Sequence, residues 1–566
     1  MNEENQSHFT RRGFLGKAAR AGAILTIAGC ISPAISGCAR LSFDRAVKVI
    51  SGADFDIIIR NALIYDGTYS DPFFADIGIQ ADKIAAIGTI HGKAAKTIDA
   101  AGYITTPGFI DVHTHCDLPF KRTGSLRYLS YILPSWKGNY NYTYQGVSTV
   151  VTGNCGYGYA DTDYWLGLVD AVNFGTNVYH LAPHGIIRQE MFGQDQPLNL
   201  NKKQLEAMKT RVAEEMQKGA MGLSTGLEYA PGCFSSTDEL VELCKVVRGY
   251  GGLYTSHTRD ESGRIYPDGH VGVLSSVEEA IEIGRRAELP VEISHLKISA
   301  PFNRIKSSQV LELIEKARNE GMDLNADQYP YAAGSTDISI FLPNRYKTTL
   351  GIKDEYKTST GREEMQQSVE DVFAYLPPEK ILITWYPAQE KYEGKTLEQV
   401  SEMQGIKPSQ CYVNMVCEEK IPIGVFFCQD MQIVREFMPH DYILTISDGW
   451  TTPKGMTMPH PRVYGTFPKK LRKFVLEEKL MRLPQAIRSM TSLPADKFNM
   501  QGRGRIAEGA YADIAVIDLN TICDRSTYED PHQYAQGITY LLVNGVLSIE
   551  EGSATGRRGG RALKRV

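Results

Sequence analysis

Hydrophobic and polar positions alternate in short runs at both ends of the chain. Near the start, β-type runs are separated by turn residues such as Asp66-Gly67, and they span residues 56–59, 63–65, 76–79 and 83–87. The runs 512–517 and 540–545 repeat this pattern near the end. Two β-rich ends that enclose a long middle predict one small β-sandwich domain, assembled from residues 54–106 and 496–566.

The middle of the chain, 107–495, alternates apolar strands with amphipathic helices. Apolar runs of strand length occur at 147–151, 252–256 and 290–294. Residues 205–217 and 277–286 have apolar positions three and four apart, which is the spacing of a helix with one buried face. This repetition predicts a parallel α/β barrel of the TIM-like (β/α)8 type. The polar, irregular stretch 342–442 is predicted to be an insertion between late barrel elements.

The first forty residues differ from the rest. Arg11 and Arg12 precede an apolar stretch, roughly 18–35, that contains no acidic residue. This arrangement resembles a twin-arginine export signal, so residues 1–40 are expected to direct the protein across the cytoplasmic membrane. The sequences that end at Cys30 and Cys38 resemble lipoboxes. Lipidation at either cysteine would anchor a periplasmic protein to the membrane without spanning it, and simple cleavage stays an alternative.

Composition narrows the classes of protein. The 566 residues are 42% hydrophobic and 22% charged, which is ordinary for a soluble globular protein. The net charge of −5 gives no sign of a nucleic-acid partner, because phosphate binding needs a concentrated basic surface. The eight cysteines after Cys38 have no framework spacing, so their number predicts no disulfide pattern.

His113 and His115 stand two residues apart, directly after the apolar run 108–112. If that run is a strand, its period of two sends both imidazoles to the same side. At the carboxyl end of the first strand of a barrel, that side faces the active site. Two nitrogens on one rigid edge form half of a metal site, so the pair is a candidate set of ligands.

Three further strand ends carry residues that bind metals. Cys155 lies in a Gly-rich turn after an apolar run, and His257 and His295 each follow a β-type run. Each of them alone is better explained as a buried or surface residue. Four strand ends in order, each with a thiol or an imidazole, predict a metal site, and these donors favour zinc over magnesium or calcium.

Asp448 ends another apolar run, at the position expected for the last barrel strand. A Ser-Asp-Gly sequence is more often a turn. At a metal site, however, a carboxylate can take a proton from water that the metal activates and pass it on. Asp448 is therefore the candidate general base.

These motifs resemble the N-acyl-D-amino-acid deacylase (D-aminoacylase) branch of the amidohydrolase superfamily over about residues 55–563. The motifs that carry the resemblance are 107–115, 153–156, 222–229, 256–261, 293–297, 329–331, 447–449, 460–462 and 543–545. So many motifs in one order are highly specific for the branch. The resemblance implies zinc-dependent hydrolysis of an N-acyl-D-amino acid to a carboxylate and a free D-amino acid.

The resemblance also implies roles for particular residues. A tight zinc would be held by Cys155, His257 and His295, and a second, weaker metal position by His113 and His115. Asp448 would be the general base and then the acid. The substrate's α-carboxylate would be received by Lys297 and Arg462, with help from Tyr329 and Ser335, which also orient the scissile group.

The chain departs from the commonest pattern of this branch at two places, an aromatic stretch at 128–144 and an extension at 264–270. Both are expected above the barrel mouth, where loops set specificity, so the preferred side chain of the substrate stays open. Two other functions also stay open: a related hydrolase of D-configured dipeptides or cyclic amides, and a lipoprotein that binds amino-acid derivatives without catalysis.

Overall fold

The computed structural model describes residues 48–121, 130–193, 196–301, 304–347 and 354–565. The predicted export signal, 1–40, lies outside these ranges. Within them, no helix has both the length and the apolar character needed to span a bilayer.

A ten-stranded sheet is built from both ends of the described chain. Ile104–Pro107 joins the two ends, because it pairs in parallel with Asp54–Ile64 and antiparallel with Ile514–Ile517. Alternate isoleucines and valines of Asp54–Ile64 and Ile514–Ile517 are buried in a common core, as the period-two pattern requires. The remaining strands of the sheet are Val49–Ile50, Phe73–Gln80, Lys83–Ile90, Lys93–Asp99, Ile538–Val543, Val546–Glu550 and Ser553–Ala554.

Eight parallel strand positions form a barrel. In chain order they are Phe109–Asp111, Val147–Thr152, Asn177–His180 with Ala182–Pro183, Gly222–Gly226, Leu253–His257, Val291–Ile293, Leu324–Gln328 and Ile443–Thr445. The ring closes where Thr114, after the first strand, bridges in parallel to Gly449, after the last. The prediction of a TIM-like (β/α)8 barrel with a separate sheet domain from both chain ends is therefore confirmed.

Helices cover the outside of the barrel between successive strands. They include Thr162–Val172, His184–Phe192, Lys202–Gln217, Thr237–Gly249, Gly272–Ala287, Ser307–Asn319 and Met431–Phe437. The helix Lys202–Gln217 begins with a capping box between Asn201 and Gln204, which satisfies backbone N–H groups that have no partner within the helix. After the last strand come Arg462–Lys469, the π-helical turn Lys470–Glu477, Leu483–Met490 and Ser492–Lys497.

A smaller substructure lies between the seventh and the eighth barrel strand. It contains an antiparallel sheet of Gly334–Asp337, Ile423–Phe426 and Ile381–Trp385, with the helices Ser359–Phe373, Leu397–Gln404 and Pro408–Val416. These elements share a hydrophobic core of their own. Its first strand begins before residue 342, where the insertion was predicted to start.

Candidate metal centre and active site

Hydrogen bonds join the ends of the first and the last barrel strand next to His113. The Asp111 carboxylate accepts hydrogen bonds from the backbone N–H of His113 at 3.2 Å and of Ser447 at 3.1 Å. In return, the backbone N–H of Asp448 donates to the carbonyl of His113 at 3.0 Å. This register places the Asp448 carboxylate 3.3 Å from His115 Nε2 and 3.6 Å from His113 Nε2.

Cys155 is carried by a tight turn after the second barrel strand. Its backbone lies in the left-handed region, with φ of 54°, between Gly153 and Gly156, which also have positive φ. A side chain on Gly153 would meet the carbonyl oxygen of Leu181 at 2.3 Å, so this close turn requires glycine. The turn brings Cys155 Sγ to 3.2 Å from His113 Nε2 and 3.5 Å from His295 Nε2.

His257 ends the fifth barrel strand, and His295 follows the sixth. His257 Nδ1 lies 2.9 Å from His295 Nε2, and both rings are buried. Since the donor atoms of His295 face both Cys155 and His257, the three residues predicted for the tight metal meet at His295.

Three sets of donor atoms among the described residues lie within 4.8 Å of one another: His113 with Cys155 and His295, His113 with His115 and Asp448, and His257 with Glu261 and His295. The predicted trio of Cys155, His257 and His295 is not one of these sets, while His295 Nε2 lies beside both Cys155 Sγ and His257 Nδ1. His113 belongs to two sets, so the His113–His115 pair is continuous with the site around Cys155.

The donor chemistry fits zinc. Atoms around a four-coordinate zinc ion lie roughly 3.3–3.6 Å apart, close to the spacings of Cys155 Sγ from its two histidines. Burial alone would raise the pKa of Cys155, but His113 and His295 beside it lower that pKa well below its usual value. The thiolate form, which is the form that binds metals, is therefore favoured.

Three carboxylates that were not predicted from the sequence lie beside the imidazoles. Each is next to the ring nitrogen that does not face Cys155 or a neighbouring histidine. Glu228 Oε2 lies 3.1 Å from His257 Nε2, Glu261 Oε1 lies 2.9 Å from His295 Nδ1, and Asp327 Oδ2 lies 3.6 Å from His113 Nδ1. Such partners fix the tautomer and orientation of metal-binding histidines. Glu228 and Glu261 lie within the motifs 222–229 and 256–261, whereas no sequence signal marks Asp327.

Asp448 and Arg462 form a buried ion pair, with 2.9 Å between Arg462 Nη1 and Asp448 Oδ2. Burial alone would raise the pKa of Asp448, but the guanidinium of Arg462 and the neighbouring His115 hold it well below its usual range. Burial lowers the pKa of His115, and Asp448 and Cys155 outweigh this and raise it to about 9. The carboxylate is therefore ionised at neutral pH.

The four residues predicted to bind substrate have different surroundings. Lys297 Nζ is 2.6 Å from Glu261 Oε2 and 2.8 Å from His295 Nδ1, so its ammonium group is already engaged beside the metal donors. The guanidinium of Arg462 lies over the ring of Tyr329, 4.6 Å from its centre, and donates to the Ser335 carbonyl at 3.3 Å.

Two buried donors beside the ion pair have no hydrogen-bond partner among the described residues. They are Nε of Arg462 and the hydroxyl of Ser335. The hydroxyl of Tyr329 accepts a hydrogen bond from Gln429 at 3.0 Å, which leaves its own proton available. Buried donors are normally satisfied, so these three groups offer hydrogen bonds to an anion.

The two segments predicted to set specificity, 264–270 and 128–144, make different contacts. In the 264–270 loop, Tyr266 stacks on His270 with 4.3 Å between ring centres and donates to Asp260. In the aromatic stretch, the described part after residue 130 packs against the segment that follows the last barrel strand. Its residues Asn139, Asn141 and Tyr142 are fully or almost fully buried.

Comparison with known proteins finds relatives over most of the chain. The amidohydrolase family model Amidohydro_3 matches residues 182–549. N-acyl-D-glutamate deacylase of Alcaligenes xylosoxydans xylosoxydans is 31% identical over 534 residues, which cover 90% of this chain and 96% of that protein. D-aminoacylase of the same organism is 30% identical over 536 residues, which cover 90% of this chain and 98% of that protein.

A solved structure of N-acyl-D-glutamate deacylase from Bordetella Bronchiseptica, complexed with zinc and a phosphonate mimic of the tetrahedral intermediate, is also similar. It has a TM-score of 0.76 and 29% identity, and the match covers 90% of this chain and 100% of that one. The chain belongs to the amidohydrolase family and, within it, to the N-acyl-D-amino-acid deacylase (D-aminoacylase) branch. The resemblance inferred from the motifs is confirmed, and the chain is an enzyme of the class that hydrolyses amide bonds.

Proposed function

We propose that this enzyme hydrolyses the amide bond of N-acyl-D-amino acids and releases a carboxylate and a free D-amino acid. One observation carries the proposal: metal-type donors and unsatisfied anion-binding donors lie on either side of a single carboxylate, Asp448. Relatives that act on N-acyl-D-amino acids support the D-configuration of the substrate.

The metal in this proposal is zinc, held tightly by Cys155, His257 and His295, with His113 and His115 as a weaker second position. When bound, zinc supplies Lewis-acid activation of water and of the amide carbonyl. Because His113 lies 3.2 Å from Cys155, the residues that would hold the two metal positions are neighbours.

Asp448 is the proposed general base and acid. Its carboxylate, oriented by Arg462 and His115, accepts a proton from the attacking water and delivers it to the leaving nitrogen. Arg462 and Ser335 bind the substrate's α-carboxylate through donors that have no hydrogen-bond partner among the described residues, and the hydroxyl of Tyr329, which accepts from Gln429, donates its own proton. Lys297 contributes positive charge from its place beside Glu261. A charged donor fork in a buried pocket favours a linear substrate with a free carboxylate over a cyclic amide.

The test is a panel of N-acetyl-D- and N-acetyl-L-amino acids, including aspartate, glutamate, leucine and methionine, assayed with zinc-loaded enzyme for release of free amine. We expect turnover of the D-substrates, and a loss of about 10²–10⁴-fold in kcat for Asp448→Asn, since proton transfer contributes that much. Preference for L-substrates would refute the stereochemical claim. Full activity of Asp448→Asn would refute the assignment of the base.

We also propose that the protein is exported by a twin-arginine signal and anchored at Cys30 or Cys38. The paired Arg11 and Arg12 before an acid-free apolar stretch support this. Replacement of both arginines by lysine is expected to leave the protein in the cytoplasmic fraction. Labelling with a fatty-acid analogue, in Cys30→Ser and Cys38→Ser variants, identifies the anchored cysteine, and absence of label in wild type would favour simple cleavage.

A further inference from the structure

Asn141, in the described part of the aromatic stretch 128–144, is a buried amide whose nitrogen and oxygen both make hydrogen bonds. Asn141 is 1% exposed. Its Nδ2 donates to the carbonyls of Trp450 and Val463, each at 3.1 Å, and its Oδ1 accepts from the backbone N–H of Thr452 at 3.3 Å. One side chain therefore joins backbone groups from two separate parts of the chain.

These two parts carry the proposed catalytic base and its cationic partner. Residues 448–452, the Asp448 arm, follow the last barrel strand, and residues 460–464, the Arg462 arm, enter the next helix. Trp450 lies two residues after Asp448, and Val463 directly follows Arg462. The 2.9 Å ion pair between Arg462 and Asp448 thus spans the same two arms that Asn141 links.

Neighbouring residues support the same junction. Asn139 Oδ1 accepts from the hydroxyl of Thr451 at 2.9 Å, and the hydroxyl of Tyr142 lies 3.3 Å from Ser447 Oγ. Gln145, directly after the aromatic stretch, donates from Nε2 to the carbonyl of Val463 at 3.0 Å. Residues in and next to the aromatic stretch therefore contact both arms at several points.

The backbone at Asp448 needs such support. Asp448 has a φ of 50°, a left-handed conformation that costs a non-glycine residue on the order of 1 kcal/mol and persists only where the surroundings hold it. We propose that Asn141 is a positioning residue, which sets the spacing between Asp448 and Arg462 by bridging their arms. Through Asn141, the aromatic stretch then affects both proton transfer by Asp448 and carboxylate binding by Arg462. This inference rests on the proposed function for its catalytic consequence.

The experiment compares Asn141→Ala and the near-isosteric Asn141→Asp with Asn177→Ala in the full-length zinc-loaded enzyme. Asn177 is the matched control, because it is equally buried and hydrogen-bonded, to Thr149 and Asp513, at the opposite end of the barrel strands. Hydrogen–deuterium exchange of peptides that cover residues 447–463 reports the arms without any substrate. Steady-state kinetics on the best N-acyl-D-amino acid, normalised to bound zinc, reports kcat and KM.

We expect both Asn141 variants to exchange faster in 447–463, to lose about ten- to a hundredfold in kcat and to gain several-fold in KM, since misplacement of about 1 Å costs that much. Asn177→Ala is expected to lower the thermal midpoint and leave kcat and KM per zinc unchanged. Asn141→Asp keeps the side-chain volume, so it gives a readable result if the alanine variant fails to fold.

Two outcomes would overturn the inference. One is unchanged exchange in 447–463, and the other is faster exchange with unaltered kcat and KM per zinc, as a purely structural role would give. If wild type hydrolyses no substrate of the panel, the proposed function fails, and the exchange measurement still decides whether Asn141 braces the two arms.

Discussion

Lys470 is a lysine with no carboxylate partner in the interior of the described structure. It is 2% exposed, and its ammonium group donates to the hydroxyls of Thr445 at 2.7 Å and Ser489 at 2.9 Å. Burial lowers its pKa from 10.5 to about 7. The two hydroxyls also lie 3.0 Å from each other, so they keep a partner when the amine is removed.

The perturbation is Lys470→Met, which preserves length and removes the charge. Between pH 7 and pH 10.5 the unfolded chain holds a proton on Lys470 that the folded protein has lost, so the wild-type free energy of unfolding rises with pH in this window. The lowered pKa of Lys470 reduces the free energy of unfolding by on the order of 4 kcal/mol at pH 7. At pH 10 the reduction is below about 1 kcal/mol. The variant lacks this dependence.

We therefore expect Lys470→Met to be more stable than wild type at pH 7. The gain in the free energy of unfolding should be roughly 3 kcal/mol larger at pH 7 than at pH 10. Thermal midpoints from calorimetry between pH 6.5 and 10 measure this, with Lys203→Met, an exposed helical lysine, as the control. A stability difference that does not change with pH, or that grows towards pH 10, would refute a buried neutral amine.

Three further predictions concern the site and the core. Glu228→Gln removes the charge behind His257, so the rate at which a chelator removes zinc is expected to rise about ten- to a hundredfold. An unchanged rate would contradict a role of Glu228 in metal binding. Arg462→Lys replaces a planar donor fork by a point charge, so KM for an N-acyl-D-amino acid is expected to rise at least about tenfold, while KM for a substrate amidated at its α-carboxylate should not change. Arg188→Met removes the guanidinium that lies 2.6 Å from the buried carboxylate of Glu239 and leaves His184, 3.0 Å away, as the partner of that carboxylate. A loss of about 3–5 kcal/mol is expected in unfolding experiments, and an unchanged midpoint would contradict it.

The sequence by itself determined the features that consecutive residues encode. Apolar runs of strand length marked the strands Val147–Thr152 and Leu253–His257, and apolar spacing of three and four marked the helices Lys202–Gln217 and Gly272–Ala287. The same patterns placed His113, Cys155, His257 and His295 at strand ends. Because parallel strands of a barrel end on one face, a metal site followed without knowledge of any contact.

The tertiary structure alone decided which of these residues touch each other and what stands behind them. His113 lies beside Cys155 together with His295, Lys297 is paired with Glu261, and Asp327 lies behind His113. Asn141 meets Trp450 across 309 residues of chain. Such contacts depend on how the barrel closes between its first and last strands, and on side-chain directions after tight turns such as the one at Cys155. A local sequence pattern carries no information about either.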